Sequence, residues 1–157
     1  MNNNDFLTFS NYMKKDKKML TASMEDYLEM IYRLSSNANF TRINDLSKAL
    51  NVHPPSATRM VQRLGKLNYL KYEKYGMIIL KGKGLKLGKL LLTRHNTIES
   101  FLSLLGISKE EVVKETEKIE HTVSAETTKC LNDYINFAKD NPDVITKFKE
   151  YREKELP

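Results

Sequence analysis

The stretch from Thr41 to Leu80 constrains this chain more than any other. It begins with two short segments of helical periodicity. In the first, Ile43, Leu46, Ala49 and Leu50 face inward; in the second, Ala57, Leu64 and either Met60 or Val61 do so. Only Asn51, Val52 and His53 separate them. Pro54 and Pro55 then open the second segment, at a helical first turn where a missing N–H leaves no bond unmade. Two β-prone runs follow, Tyr69 to Tyr75 and Met77 to Leu80, divided by Gly76 as in a hairpin. Two short helices, a three-residue break and a hairpin predict a winged helix-turn-helix with a two-stranded wing.

The flanks read as helix. Ser23 is the expected N-cap of a first helix, with Asp26 at capping-box spacing and Met24, Tyr27, Leu28, Ile31 and Leu34 on one face. The polar run from Ser35 to Asn39 ends it. Beyond the wing, a leucine-rich helix runs from Gly84 to Leu105 and stops at Gly106, a natural C′ residue. Ser108 and Glu111 form another capping box, with Ile107 and Val112 as a hydrophobic staple, and that helix reaches about Glu120. A further helix turns Val123, Thr127, Leu131, Tyr134, Ile135 and Ala138 inward and breaks at Asn141-Pro142; a charged helix closes the chain. The fold expected is mainly α. Residues 1–20 form an N-terminal arm, 21–83 the winged helix-turn-helix and 84–157 an all-helical domain. Within the arm, Phe6, Leu7, Phe9, Tyr12 and Met13 suit a short docking helix.

Several classes are excluded at this level. No apolar run approaches the roughly 20 residues of a bilayer span, and Met1 to Lys18 lacks the apolar stretch of a secretory signal. A single cysteine, Cys130, makes no internal disulfide and no cysteine-rich zinc site. A cytoplasmic protein is expected. The net charge of +6 is unevenly spread. Residues 42–89 hold eleven Lys/Arg against two Asp/Glu, whereas residues 95–157 hold nine against thirteen. A focused basic segment is the footprint of a polyanion binder, most often nucleic acid, although taken alone it also describes a merely solvated surface.

With the apolar stripe of the second short helix turned inward, Ser56, Arg59, Gln62, Arg63 and Lys66 point outward. Arginine forks onto guanine, glutamine pairs with adenine, and serine and lysine hold phosphates. Thr58 suits a thymine methyl or a phosphate, and Lys71, Lys74 and Lys81 place charge on the wing. The plain alternative is a solvated helix face. The helix before it, the turn spacing, the wing and the local charge together favour double-stranded DNA.

A second constellation lies outside that segment. Asp26 and Glu29 share a face of the first helix, His95 interrupts the long leucine-rich helix, and Glu117, Glu120 and His121 are spaced to share a helical face. Six oxygen and nitrogen ligands on three helices suit one or two divalent cations. Each has a bland reading beside it. Asp26 completes a capping box, Glu29, Glu117 and Glu120 sit on charged helix surface, and His95 is a satisfied core histidine.

These residues also carry a resemblance. Ser23-Met-Glu-Asp-Tyr-Leu-Glu29, Val52-His-Pro-Pro-Ser-Ala-Thr-Arg-Met-Val-Gln-Arg63, Tyr72-Glu-Lys-Tyr75, Arg94-His95 and Glu117-Lys-Ile-Glu-His121 resemble the diphtheria-toxin-repressor family, in its manganese branch. The resemblance runs from about residue 21 to the C-terminus. It implies that Asp26, Glu29, His95, Glu117, Glu120 and His121 form a binuclear site for Mn²⁺, with carboxylates bridging two ions and Fe²⁺, Zn²⁺, Co²⁺ or Cd²⁺ as substitutes. The iron-responsive branch resembles a site with Met in place of Asp26 and Cys in place of Glu120. Carboxylate and imidazole suit Mn²⁺, though raw affinity favours Zn²⁺ and Cu²⁺ at any N/O site. The resemblance further implies a homodimer on a pseudo-palindromic operator, repressing metal-uptake genes, with no membrane or other protein partner. The SH3-like third domain of longer relatives is not expected, and Pro55 is a departure that bears on individual base contacts. Apolar candidates for the dimer interface are Leu91, Phe101, Leu105 and Leu131.

Three rivals remain at this level. A dinuclear metal hydrolase would use the same ligands to activate water, but the chain offers no evident nucleophile or glycine-rich phosphate loop, so no enzyme is expected. A winged-helix regulator that answers Fe²⁺ is one alternative; one that senses a small organic ligand, or nothing, would bind DNA regardless of chelation or of His95 and Glu120. A dimeric adaptor would show no salt-dependent DNA affinity.

Overall fold

The computed structural model describes residues 20–155, so the expectations for the arm at 1–19 lie outside the described residues. The elements run α1 (Ala22–Ser35), β1 (Thr41–Arg42), α2 (Ile43–Ala49), α3 (Pro54–Lys66), β2 (Leu70–Tyr72), β3 (Met77–Leu80), α4 (Gly82–Leu104), α5 (Lys109–Ile119), α6 (Ala125–Asp140) and α7 (Pro142–Glu155). The protein is mainly helical, with a winged helix-turn-helix in its first half. None of the described helices is long and apolar enough to cross a membrane.

The sheet is larger than a two-stranded wing. β2 and β3 pair antiparallel with Leu70 opposite Leu80, and β1 adds a third strand on the far side of β3, with Thr41 opposite Ile78. Thr41 is therefore strand, and α2 begins two residues later at Ile43. A two-residue strand has no periodicity to read, which is why the sequence conceals it. Its use is local. Arg42 donates from Nη1 to the Tyr75 carbonyl at 3.1 Å and so holds the wing turn, where Tyr75 and Gly76 both take positive φ.

One core joins α1, α2, α3, the sheet and the first half of α4. Leu28, Ile31, Leu46, Val61, Leu64, Leu70, Ile78 and Leu91 are its fully buried members. Val61, not Met60, takes the inward position in α3. A smaller cluster of Ile98, Leu102 and Val112 joins the second half of α4 to α5 and reaches Leu131 of α6. The α1 helix packs more extensively against α4 than any other pair of helices does. Gly88 permits this, since a Cβ there would lie 2.7 Å from the Cβ of Tyr32; Gly84 likewise lets α4 lie against the start of the wing, where a Cβ would lie 2.0 Å from the Tyr69 carbonyl oxygen.

Several local expectations change. The N-cap of α1 is Thr21, whose hydroxyl accepts from the Met24 N–H at 3.3 Å, and Ser23 lies within the first turn. Ala49, Thr127 and Tyr134 are exposed; Tyr134 stacks edge-on with Phe101 at the surface, with ring centroids 6.0 Å apart. Leu91 is 1% exposed inside the first core and has no surface to give a partner. The helix ends elsewhere follow the caps. Gly106 takes φ +77, and the Gly106 and Ile107 N–H groups close a Schellman pair onto the carbonyls of Ser103 and Leu102. Ser108 and Ser124 each accept from the backbone N–H three residues on.

The close approaches at Gly84 and Gly88 give the first prediction. Alanine is the better helix former by about 1 kcal/mol, yet a methyl at either position collides with atoms that have no free rotation. We expect Gly84→Ala and Gly88→Ala each to lower stability by about 1–3 kcal/mol net, read from urea unfolding.

Candidate metal centre and nucleic-acid face

The six ligand-type residues stand on three elements. Asp26 and Glu29 sit one turn apart on α1, and His95 lies midway along α4. Glu117 is in the last turn of α5, Glu120 is its C-cap and His121 follows just outside the helix. Among the described residues they form two clusters with ligand atoms within 4.8 Å of one another: Asp26, Glu120 and His121, and Glu29, His95 and Glu120. Glu120 belongs to both and is 2% exposed. His95 Nδ1 lies 2.7 Å from Glu120 Oε2 and 3.9 Å from Glu29 Oε1. His121 Nε2 lies 2.9 Å from Asp26 Oδ1 and 3.6 Å from Glu120 Oε1. Glu117 stands at the rim, with a largely exposed side chain and Oε1 4.0 Å from His95 Nδ1. Five of the six therefore converge closely, and Glu117 reaches their edge.

Two further residues, absent from the ligand set read in the sequence, hold the centre from behind. Glu25 and Arg94, both buried, pair through Glu25 Oε2 and Arg94 Nη2 at 2.5 Å. The same Glu25 oxygen accepts from His121 Nδ1 at 2.9 Å. A proton kept on Nδ1 by that bond would leave Nε2, the nitrogen beside Asp26, as the one to meet a metal, as carboxylates behind metal-bound histidines commonly do. The signal for Glu25 was its place one residue before Asp26, on the stripe of α1 that also carries Leu28. It was masked because glutamate is rarely buried without a partner, and the partner lies 69 residues away. Arg33 was missed as well: its guanidinium bonds Glu29 Oε1.

Charge at this centre is unbalanced. Five carboxylates (Glu25, Asp26, Glu29, Glu117, Glu120) face two guanidiniums (Arg33, Arg94) and two imidazoles. The protein responds by holding protons. The hydrogen bonds that His121 donates to Asp26 and Glu25 push its imidazole up from 6.5 to about 10, and the bond to Glu120 raises His95. Desolvation, then the nearby Glu120 charge, raises the Glu117 carboxyl. Burial pushes Glu25 up too, but its bonds to His121 and Arg94 prevail and hold it below the usual value. The centre is thus a set of oxygens and ring nitrogens with surplus negative charge and no thiolate, which fits a divalent cation of hard or intermediate character.

The outer face of α3 is positioned by its burial pattern. Ala57, Val61 and Leu64 face the core, while Ser56, Arg59, Gln62, Arg63 and Lys66 are exposed. Thr58 is half-buried, and its hydroxyl donates to the Pro54 carbonyl at 3.0 Å, so the methyl is what it has left to offer. The wing lysines differ from one another. Lys71 pairs with Glu73, Lys81 donates to Asn68 at 2.6 Å, and Lys74 is exposed beside the turn.

Two outcomes are expected of the metal-free protein. His121 is charged in the folded chain up to about pH 10 but only to about 6.5 when unfolded. Its contribution to stability is therefore full below pH 6.5 and is lost as pH rises through 10. Urea unfolding between pH 6 and 10 should show this decline, and His121→Ala should flatten it. Glu25→Ala should weaken divalent-ion uptake about 10- to 100-fold while leaving all ligands in place, measured by isothermal calorimetry.

Comparison with known proteins identifies the family. The family model "Iron dependent repressor, N-terminal DNA binding domain" matches residues 19–78, and "Iron dependent repressor, metal binding and dimerisation domain" matches residues 81–149. The HTH-type transcriptional regulator MntR of Listeria innocua is 43% identical over 132 residues, 84% of this chain and 93% of that protein. Two solved structures superpose well. The IdeR structure of T. acidophilum has TM-score 0.64 at 27% identity, covering 75% of this chain and 56% of that one. The manganese regulator SloR has TM-score 0.64 at 30% identity, covering 75% and 55%. The chain therefore spans little more than half the length of these two solved chains. A basic α3 beside a wing, a carboxylate–histidine centre across α1, α4 and α5, and both family models in chain order lead to one conclusion: this chain belongs to the iron dependent repressor family of metal-dependent, DNA-binding transcriptional regulators and is not an enzyme.

Proposed function

We propose that the chain is a cytoplasmic, Mn²⁺-responsive repressor of metal-uptake genes that acts as a homodimer on a pseudo-palindromic operator. The observation that carries this reading is the convergence of Asp26, Glu29, His95, Glu120 and His121 from three elements onto two clusters that share Glu120. An all-oxygen-and-imidazole set favours Mn²⁺ over softer ions by ligand type, and relatives named MntR and the manganese regulator SloR point the same way. We take the site as binuclear, with Glu117 drawn in from the rim. Fe²⁺, Zn²⁺, Co²⁺ and Cd²⁺ meet the same donors and would substitute at some cost in geometry.

The coupling follows from where the ligands stand. Asp26 and Glu29 belong to α1, which shares its core with α3 and the wing; His95, Glu117, Glu120 and His121 belong to α4 and α5. Asp26 and Glu29 on one side and His95, Glu117, Glu120 and His121 on the other would hold a divalent cation, whose charge would offset the surplus carboxylates, and so tie α1 to α4 and the end of α5. With α1 tied, α3 takes one orientation relative to α4–α7, and so relative to its counterpart in a dimer. The gain in DNA affinity is limited to the cation's preference for that state. On DNA, Arg59 and Gln62 would read base edges and the Thr58 methyl would meet a thymine methyl, with Ser56, Arg63, Lys66 and Lys74 on phosphates and sugar. For the dimer, Phe101, Leu105 and Leu131 remain candidates, and the exposed Tyr134 and Phe137 extend the same apolar surface.

The test is operator selection from random duplex DNA, followed by gel-shift titration with Mn²⁺ and with chelator. Mn²⁺ should tighten binding by about 5- to 150-fold, and His95→Ala or Glu120→Ala should remove that gain. Arg59→Ala should cost about 1–3 kcal/mol at one base position, and Lys66→Ala should reduce the salt slope by about 1. Undiminished binding after chelation would overturn the metal-responsive reading.

A further inference from the structure

The two ligand clusters are not equally open. Around Asp26 and His121, the second imidazole nitrogen is already held by Glu25, and Glu25 by Arg94. The Glu29–His95–Glu120 cluster has a different neighbour. Arg33, one turn along α1, sends both Nε (2.9 Å) and Nη2 (2.5 Å) to a single oxygen, Glu29 Oε1. That oxygen is also the one 3.9 Å from His95 Nδ1, so it faces the cluster. Arg33 further lines, with Met30 and Leu50, the cavity of about 180 Å³ into which Asp26, Glu29, His95, Glu117 and Glu120 open. The Glu29 side chain is 11% exposed and that of Arg33 36%, so the pair is only partly screened by water.

Resting on the metal-site reading above, we infer that Arg33 is a built-in competitor for the cation at Glu29, His95 and Glu120, and that it sets the metal level at which this position fills. A guanidinium covering the cluster-facing oxygen must turn away, or move to the other oxygen, before a cation can take its place. Even when turned away, its charge on the same helix one turn from Glu29 would repel a divalent ion held there. The pairing thus stabilises the metal-free state and opposes uptake twice. Arginine suits this role better than lysine because its charge persists at any relevant pH and its planar fork grips a carboxylate from the side. The alternative role is support, in which Arg33 steadies Glu29 as a ligand. Its sign is opposite, because loss of a supporting residue weakens metal binding.

The measurement is Mn²⁺ titration of the full chain by isothermal calorimetry, with stoichiometry checked by electron paramagnetic resonance of free Mn²⁺. Wild type is compared with Arg33→Met, which keeps the bulk and removes the charge, and with Arg33→Gln as a second neutral variant. Competition predicts an unchanged number of ions and a weaker-binding ion that tightens about tenfold in both variants, with a larger Mn²⁺-induced rise in Tm. Arg33→Lys should fall between these and wild type. Unchanged or weakened binding in both neutral variants, with wild type still taking up its ions, would overturn this inference alone. No uptake by wild type at sub-millimolar Mn²⁺ would overturn it together with the metal-site reading.

Discussion

The close approach of α1 to α4 at Gly88 underlies the rest of the structure. Tyr32 lies against the bare backbone there, and no side chain at Gly88 would allow the same distance. Because α1 lies this near, Glu29 reaches His95, and Glu25 reaches Arg94. The same approach lets α1 serve both the first core and the polar centre. Leu28 and Ile31 pack with α2, α3 and the sheet, while Glu25, Asp26 and Glu29 face α4 and the end of α5. One helix therefore belongs both to the DNA-binding unit and to the metal centre, which makes communication between them a matter of rigid geometry.

Buried charge at this centre has a cost that the chain offsets in more than one way. Glu25 and Arg94 neutralise each other in a place where either alone would be strongly destabilising. Both histidines hold their protons more tightly than they would in water, His121 up to about pH 10. A cation that replaces these protons meets donors already gathered, and it must displace protons to bind. Affinity for metal and acidity of the medium are consequently linked.

Much of this was legible in the sequence, for identifiable reasons. Helices announce themselves by period and by caps, so α3, α4, α5 and α6 were placed to within a few residues. Ser108 caps where the sequence pattern puts it, and the Ser124 cap emerges only in the structure. The six ligand-type residues were legible because their spacing and chemistry are rare together, and family resemblance named their roles. What stayed hidden was pairwise. β1 is only two residues long and exists because β3 offers an edge. Tyr134 and Leu91 are both apolar and both fall on helical stripes, yet one lies on the surface and the other in the core, because amphipathic periodicity gives a face without saying what covers it. Glu25 and Arg33 were hidden for a related reason. A glutamate or arginine on a helix looks solvated until its partner's position in space is known.

The placement of the centre on three elements also determines which length changes the chain can tolerate. His95 is set by its distance along one unbroken helix from Gly84 and Gly88, and Glu117 and Glu120 by their place at the end of α5. Inserting a single residue between Gly88 and His95 would swing His95 by about 100° around its axis, out of reach of Glu120. The junctions at Gly106–Ser108 and Asn141 carry no ligand and have no such register to keep. Drift in length among proteins built on this plan should accordingly gather at those junctions and spare the interior of α4.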